Sequence, residues 1–122
     1  MKKLSALVFA LFVLVGSMVW AFDPDFMGYT TVKTADALVH TGTSYLYGIV
    51  AATDGTNSVT FKTYDNTEAT GTKAHPDWIA VTSSTNRMAV LSFDPPLVMS
   101  TGIYIDITTA GTVSYVAYYR AK

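Results

Sequence analysis

The sequence has no cysteine, and this absence excludes several kinds of site and scaffold. A disulfide framework, a thiolate zinc site and a cysteine nucleophile all require a residue that the chain lacks. Histidine is scarce as well, since the two imidazoles, His40 and His75, are 35 positions apart. A metal site would need both to converge with a carboxylate such as Asp77. We interpret His75-Pro76-Asp77 as the rim of a loop and predict no metal site.

Charged residues are few and scattered, at 14% of the chain. All nine acidic residues but only six of the eight basic ones lie after residue 21, so that part carries a net charge of −3. A nucleic-acid footprint needs a basic patch, which is missing here. The sequence therefore predicts neither nucleic-acid binding nor adhesion to anionic lipid.

The residue patterns of catalysis are also missing. There is no G-x-S-x-G sequence, and neither histidine has a serine or acid at a spacing that indicates a triad. Asp94 and Asp106 are a conceivable carboxylate pair for glycoside hydrolysis, but Asp94 precedes two prolines and is interpreted as a turn cap. The acidic stretch 65–68 (DNTE) lacks the spacing of a calcium loop. We therefore expect a protein that is not an enzyme and has no cofactor.

The N-terminus has the features of an export signal. Lys2 and Lys3 precede an uncharged run at 4–22, and Val19-Trp20-Ala21 satisfies the small-residue rule for cleavage before Phe22. The alternative is a retained membrane anchor, because a run of this length is just able to span ~30 Å of hydrocarbon. Either way, the remaining chain is expected outside the cytoplasm: secreted, at the cell surface, in the periplasm or on a virion.

After this segment the chain shows β-strand patterns only. In the stretch 44–66, two β-prone runs flank Asp54-Gly55-Thr56-Asn57, and Val59 and Phe61 alternate with polar residues. Asp-Gly between such runs indicates a hairpin, with a type I turn or a G1 bulge as compatible as a type I′ turn. Ala110-Gly111 indicates a second hairpin, after a run in which Ile103, Ile105 and Ile107 alternate with polar residues.

The turn signals recur about every ten residues and predict seven to nine short strands. Such a pattern favours a jelly-roll-like antiparallel β-sandwich, with an open barrel as the second choice. Three parts are expected: a hydrophobic helix at 1–21 that is a signal peptide or an anchor, an N-terminal segment at 22–34 that can exchange as a strand between copies, and a sandwich at 35–122. The first residues of the second part, 22–27, are interpreted as a leader or short linker. Asp94-Pro95-Pro96 must lie at the edge or end of a sheet. The candidate strands are 29–33, 37–41, 45–52, 59–62, 78–82, 87–93, 97–100, 103–108 and 112–119.

Aromatic side chains are the most distinctive candidates for a binding surface. In the last strand, Tyr115 and Tyr119 share one face and Tyr118 lies on the other, so both faces are half apolar. Exposed tyrosine and tryptophan suit protein interfaces or sugar stacking, and buried rings simply fill the core. The candidate interface or ligand residues are Tyr45, Tyr47, Trp78, Tyr104, Tyr115, Tyr118 and Tyr119.

Two stretches, LYGIVAATDGTNSVTFKTYDNTEATGTK at 46–73 and VLSFDPPLVMSTGIYIDITTAGTVSYVAYYR at 90–120, carry a resemblance to a known group. Their order of DGTN, YDNT, FDPP, GIY-D-T and a tyrosine-rich last strand resembles small β-sandwich virion proteins of tailed phages and prophages. The resemblance implies a sandwich displayed on a particle, such as a head or tail decoration, and no catalytic residues. This chain differs from that group by its N-terminal export signal.

Together these features predict a non-enzymatic, exported structural module that assembles with itself or with a partner protein. It would be a surface, filament or virion-decoration subunit, and a homo-oligomer is the expected state. The alternative is a carbohydrate-binding module that uses Trp78 and the tyrosines as a stacking platform for a glycan. A membrane contact is expected only if residues 1–21 are retained.

Overall fold

The computed structural model describes residues 28–122, which form β-strands joined by turns and loops. The predicted N-terminal hydrophobic helix, the cleavage point before Phe22 and the linker at 22–27 lie outside the described residues. Valine, isoleucine, threonine and tyrosine dominate the strands, as expected for a pleated and half-buried surface. In chain order the strands are β1 (Gly28–Tyr29), β2 (Ala37–Thr41), β3 (Ser44–Thr53), β4 (Val59–Tyr64), β5 (Trp78–Ala80), β6 (Met88–Met99), β7 (Gly102–Thr109) and β8 (Val113–Ala121).

The strands form two antiparallel sheets of four strands each. Sheet I has the order β1-β8-β3-β6, and sheet II has the order β2-β7-β4-β5. Every connection within residues 28–122 except β4–β5 crosses from one sheet to the other. The predicted all-β, antiparallel two-sheet fold is therefore confirmed, with two separate sheets instead of the open barrel.

The two predicted hairpins are wrong. The strands on either side of Asp54-Gly55 belong to different sheets, because β3 pairs with β6 and β8 whereas β4 pairs with β5 and β7. The turn at Ala110-Gly111 likewise connects β7 of sheet II to β8 of sheet I. The turn residues reverse the chain as expected, but each turn carries it across the core and not to the neighbouring position in the same sheet.

The core lies between the sheets and contains the predicted inward residues. Val59, Phe61, Ile103 and Ile105 are fully buried. The ring of Phe61 from sheet II meets the ring of Tyr115 from sheet I edge-on, with 5.5 Å between centroids. Aromatic pairs in this geometry add stability beyond their buried area. The core residues are Leu46, Ile49, Ala51, Val59, Phe61, Ala80, Met99, Ile103, Ile105, Val113, Tyr115 and Ala117.

Strand β6 is longer than predicted and forms one edge of sheet I. The runs 87–93 and 97–100 are parts of a single strand, Met88–Met99, that continues through Asp94-Pro95-Pro96. Its register against β3 shifts between Leu46 and Gly48, which absorbs the extra residues around the prolines. The edge position of the two prolines confirms the prediction, since neither can donate a ladder hydrogen bond.

The N-terminal segment runs beside β8 of the same chain. Gly28 and Tyr29 pair with Tyr119 and Tyr118, and an isolated bridge joins Lys33 to Tyr115. These pairs occupy the first part of the segment that the sequence left without a partner. Exchange of this segment between copies stays a prediction.

Candidate interaction surface

The predicted aromatic residues do not form one platform. Tyr45, Tyr47 and Tyr118 lie on the outer face of sheet I, and Tyr104 lies on the outer face of sheet II, as the buried residues that alternate with them show. Trp78 and Tyr119 are half-buried against the core, and Tyr115 is inside it. The sandwich thus divides the set among two opposite surfaces and the interior.

Tyr115 is a structural residue of the core. It is 1% exposed, and its hydroxyl donates a hydrogen bond of 2.9 Å to the carbonyl oxygen of Ala35. Burial, with a smaller contribution from the negative charge of Asp36, raises the pKa of this phenol. A ring held in this way between the sheets cannot meet a ligand at the surface.

Trp78 supports the core from β5. Its ring stacks on Phe61 with centroids 5.0 Å apart and an angle of 29° between the planes. Because one side of the indole is used in this contact, the residue offers at most part of its surface to solvent. It is the residue on which the carbohydrate alternative depends most.

The two histidines have separate partners. The ring of His40 packs against Tyr119 at 5.2 Å. His75 lies near Phe93 at 5.2 Å, and its Nε2 is 2.9 Å from the Thr63 hydroxyl oxygen. Within residues 28–122, no three side chains of histidine, aspartate or glutamate are grouped closely enough to hold a metal ion.

Asp65 is used in closing a turn. Its carboxylate accepts hydrogen bonds from the backbone N–H groups of Ser100, Thr101 and Gly102, at 2.7 to 3.3 Å. Partial desolvation opposes the charge, but these three donors outweigh it and lower the pKa of the carboxyl group. Asn66 is similarly engaged, since its amide donates to the Thr70 carbonyl oxygen at 2.8 Å. Asp65 therefore holds the turn between β6 and β7, and Asn66 holds the loop that follows β4.

Asp54 has a comparable role at another turn. One carboxylate oxygen accepts the backbone N–H groups of Thr56 and Asn57, and the other accepts the Asn57 amide and the backbone N–H of Thr112. The hydrogen bonds from Asn57 are the main cause of the lowered pKa of this carboxyl group. Asp54 thus joins the β3–β4 turn to the β7–β8 turn.

The remaining acid–base contacts are ion pairs near the outer face of sheet II. Lys62 and Asp106 are 3.6 Å apart on neighbouring strands. Lys73 and Asp77 are 2.6 Å apart, and the hydrogen bond between them raises the pKa of the lysine and lowers that of the aspartate. Asp106 is in sheet II and Asp94 is in sheet I, so the conceivable carboxylate pair is divided between the sheets.

The outer face of sheet I is different, because its side chains are mostly apolar, with Ser92, Ser114 and Arg120 as its polar members. At its centre Val50 of β3 has Val116 of β8 on one side and Val90 of β6 on the other. The four strands of this sheet contain only two charged residues, Asp94 and Arg120. We call this surface the apolar face; its residues are Tyr29, Tyr45, Tyr47, Val50, Ala52, Met88, Val90, Val98, Val116 and Tyr118.

Several of these side chains are well exposed. Val90 is 64% exposed, Val98 61% and Met88 59%. Soluble monomers rarely leave contiguous apolar patches of more than a few hundred Å² in water, and larger patches mark interaction sites. The sequence indicated this surface only in part, through the two half-apolar faces of β8. A stronger signal was present in β3, which has no charged residue in ten positions.

A shallow depression interrupts the apolar face near Gly48. It has a volume of about 210 Å³ and is lined chiefly by Tyr47, Val50, Val90 and Tyr118. A Cβ at Gly48 would lie 2.3 Å from the Leu91 carbonyl oxygen, so the close approach of β3 and β6 requires glycine.

Comparisons with protein-family models, curated proteins and solved structures gave no match. No helix among residues 28–122 has the length and hydropathy needed to cross a membrane.

Proposed function

We propose that this chain is an exported, non-enzymatic structural module that assembles with itself or decorates a surface, a filament or a virion. The observation that carries the proposal is the apolar face, a continuous surface of valine, methionine and tyrosine on one side of the sandwich. The other side has an ion pair at its centre, between Lys62 and Asp106. Sheet II also exposes Leu38 and Ile79, but the ion pair makes its outer face the better of the two to remain in water.

The strand order supports a jelly-roll assignment. An eight-stranded jelly roll consists of two Greek keys folded into two sheets, and the orders β1-β8-β3-β6 and β2-β7-β4-β5 are compatible with such a fold. Jelly rolls occur in viral capsid and lectin domains. The strand order therefore supports a displayed subunit, in agreement with the resemblance to phage virion proteins.

The carboxylates support a non-enzymatic role through the partners that they have. Asp54 and Asp65 accept backbone N–H groups at turns, and Asp77 and Asp106 pair with lysines. These contacts give the four carboxylates a structural use. Export is supported by the basic start, the uncharged run and the Ala21–Phe22 junction of the sequence.

The carbohydrate alternative has less support than assembly. Trp78 stacks on Phe61, and Tyr104 lies on the sheet opposite to Tyr45, Tyr47 and Tyr118, so the candidate residues do not form a single stacking platform. A glycan array tests it: binding that is lost in Trp78→Ala, with the fold retained, would favour the alternative over our proposal.

Intact mass and negative-stain images of the purified chain test the proposed function. The mass establishes whether residues 1–21 are retained, and the images distinguish a particle or filament from single molecules. We expect a mass that begins at Phe22 and ordered assemblies at high concentration. A chain that stays monomeric under all conditions would contradict the proposed self-assembly.

A further inference from the structure

We propose that the partner on the apolar face is a second copy of this chain, with the two faces packed sheet on sheet around a two-fold axis. This inference rests on the proposed function and names the contact through which the module assembles. A two-fold contact uses the same patch on both copies, so the patch must be compatible with itself. The apolar face meets this condition, because its centre is a cluster of valines.

The distribution of charge supports contact between identical faces. Like charges brought together between copies would cost several kcal/mol. The charged residues of the sheet I strands are Asp94, in the bulged part of the edge strand β6, and Arg120, whose guanidinium lies 6.0 Å from the centroid of the Tyr45 ring. The centre at Val50, Val90 and Val116 therefore approaches its own copy without repulsion.

The sheet edges offer poorer contacts than the face. Natural sheets block edge-to-edge pairing with short strands, bulges and prolines. Here β1 has two residues and β5 has three, and β2 has a register shift. The fourth edge, β6, contains Pro95 and Pro96. With every edge of residues 28–122 short or interrupted, the wide surface left for a copy is the apolar face.

The size of the face predicts a weak dimer. With a rise of about 3.3 Å per residue and a strand spacing of about 4.8 Å, the face covers roughly 500 Å². A standard interface buries about 800 Å² on each partner. The depression beside Gly48 can receive an exposed side chain of the other copy, such as Val90, which improves the packing between the two faces. We therefore expect an association that depends on concentration.

Sedimentation velocity of the purified full chain, over a wide range of concentrations, tests the inference. The test variant is Val90→Arg on the apolar face, and the matched control is Ile79→Arg, which is 54% exposed on the other sheet. Val98→Arg is a second test variant, in case the first does not fold. Circular dichroism verifies the fold of each, and intact mass shows whether residues 1–21 are equally present in all of them.

We expect the wild type and Ile79→Arg to dimerise alike, and Val90→Arg and Val98→Arg to dimerise at least about tenfold more weakly. If the wild type assembles and the apolar-face variants assemble equally well, the inference is overturned while the proposed function stands. A dimer that Ile79→Arg alone disrupts has the same consequence. A wild type that is monomeric throughout, with no assemblies in the images, overturns both the inference and the self-assembly on which it rests.

Discussion

Replacement of Gly48 by alanine tests how closely β3 and β6 approach. The added Cβ would be 2.3 Å from the Leu91 carbonyl oxygen and 3.2 Å from the Ser92 Cα. Carbon–oxygen contacts are normally at least about 3.3 Å long, so the backbone of β6 would have to move by roughly 1 Å. Neither obstacle is a flexible side chain that could turn aside.

Overpacking of this kind costs about 1–3 kcal/mol. For a domain of this size, each kcal/mol lowers the melting temperature by about 4–8 °C, so Gly48→Ala should melt roughly 5–20 °C below the wild type. The matched control is Gly28→Ala in β1, where the nearest atom is at 3.4 Å. That variant should be neutral or more stable by up to about 1 kcal/mol, because alanine reduces the freedom of the unfolded chain.

Thermal and urea denaturation, followed by circular dichroism at one protein concentration, measure both variants. A fixed concentration matters because dimerisation raises the apparent stability. If Gly48→Ala is as stable as Gly28→Ala, then β3 and β6 do not approach each other closely enough at residue 48 to exclude a side chain.

Two further predictions concern the turn carboxylates. The pKa of Asp65 is below its ordinary value of 3.8 in the folded chain, so its stabilising effect should be complete above about pH 4 and decline as the pH falls through the folded value. Asp65→Asn should accordingly flatten the melting temperature against pH in this acid range, and an unchanged slope would contradict the assignment. Gly111→Ala places a Cβ against Asp54 Oδ2 and should destabilise the fold, with a smaller effect in the Asp54→Ala background. Equal effects of Gly111→Ala in both backgrounds, measured by urea denaturation, would show that the two turns do not contact each other through Asp54.

Much of the fold could be predicted from the sequence because strand periodicity is local. The alternation of Ile103 and Ile105 with polar residues identified the buried face of β7, and the edge position of Pro95 followed from its missing N–H. The extent of β6 could not be predicted in the same way. A run of proline indicates an interruption, but a bulge on an edge strand accommodates it within one strand.

The pairing of strands could not be predicted from turn chemistry. Asp54-Gly55 specifies a reversal of the chain, and the reversal is compatible with a hairpin or with a crossing between sheets. Whether the next strand joins the same sheet or the opposite one depends on where its apolar side chains are buried. Here Phe61 of β4 faces Tyr115 of β8 across the core, so β4 lies in the opposite sheet. That contact joins residues 54 positions apart, beyond the reach of any local signal.

The apolar face was only partly visible in the sequence for the same reason. The outward Val50, Val90 and Val116 come from three strands that are distant in the chain and adjacent only in sheet I. The tyrosines were candidates from the sequence because a single exposed aromatic residue already indicates a binding surface. The valines became a candidate surface only when the strand order placed them side by side.

Thiol protection shows whether a second copy covers the apolar face, and a single thiol can be introduced because the chain has no cysteine of its own. Val50→Cys places a single thiol at the centre of the apolar face, and Thr60→Cys places one at the matching position on the outer face of sheet II. The account predicts that maleimide labels the cysteine at position 50 more slowly as the protein concentration rises, whereas the rate at position 60 stays constant. Labelling at position 50 that is independent of concentration, in a chain that nevertheless assembles, would contradict it.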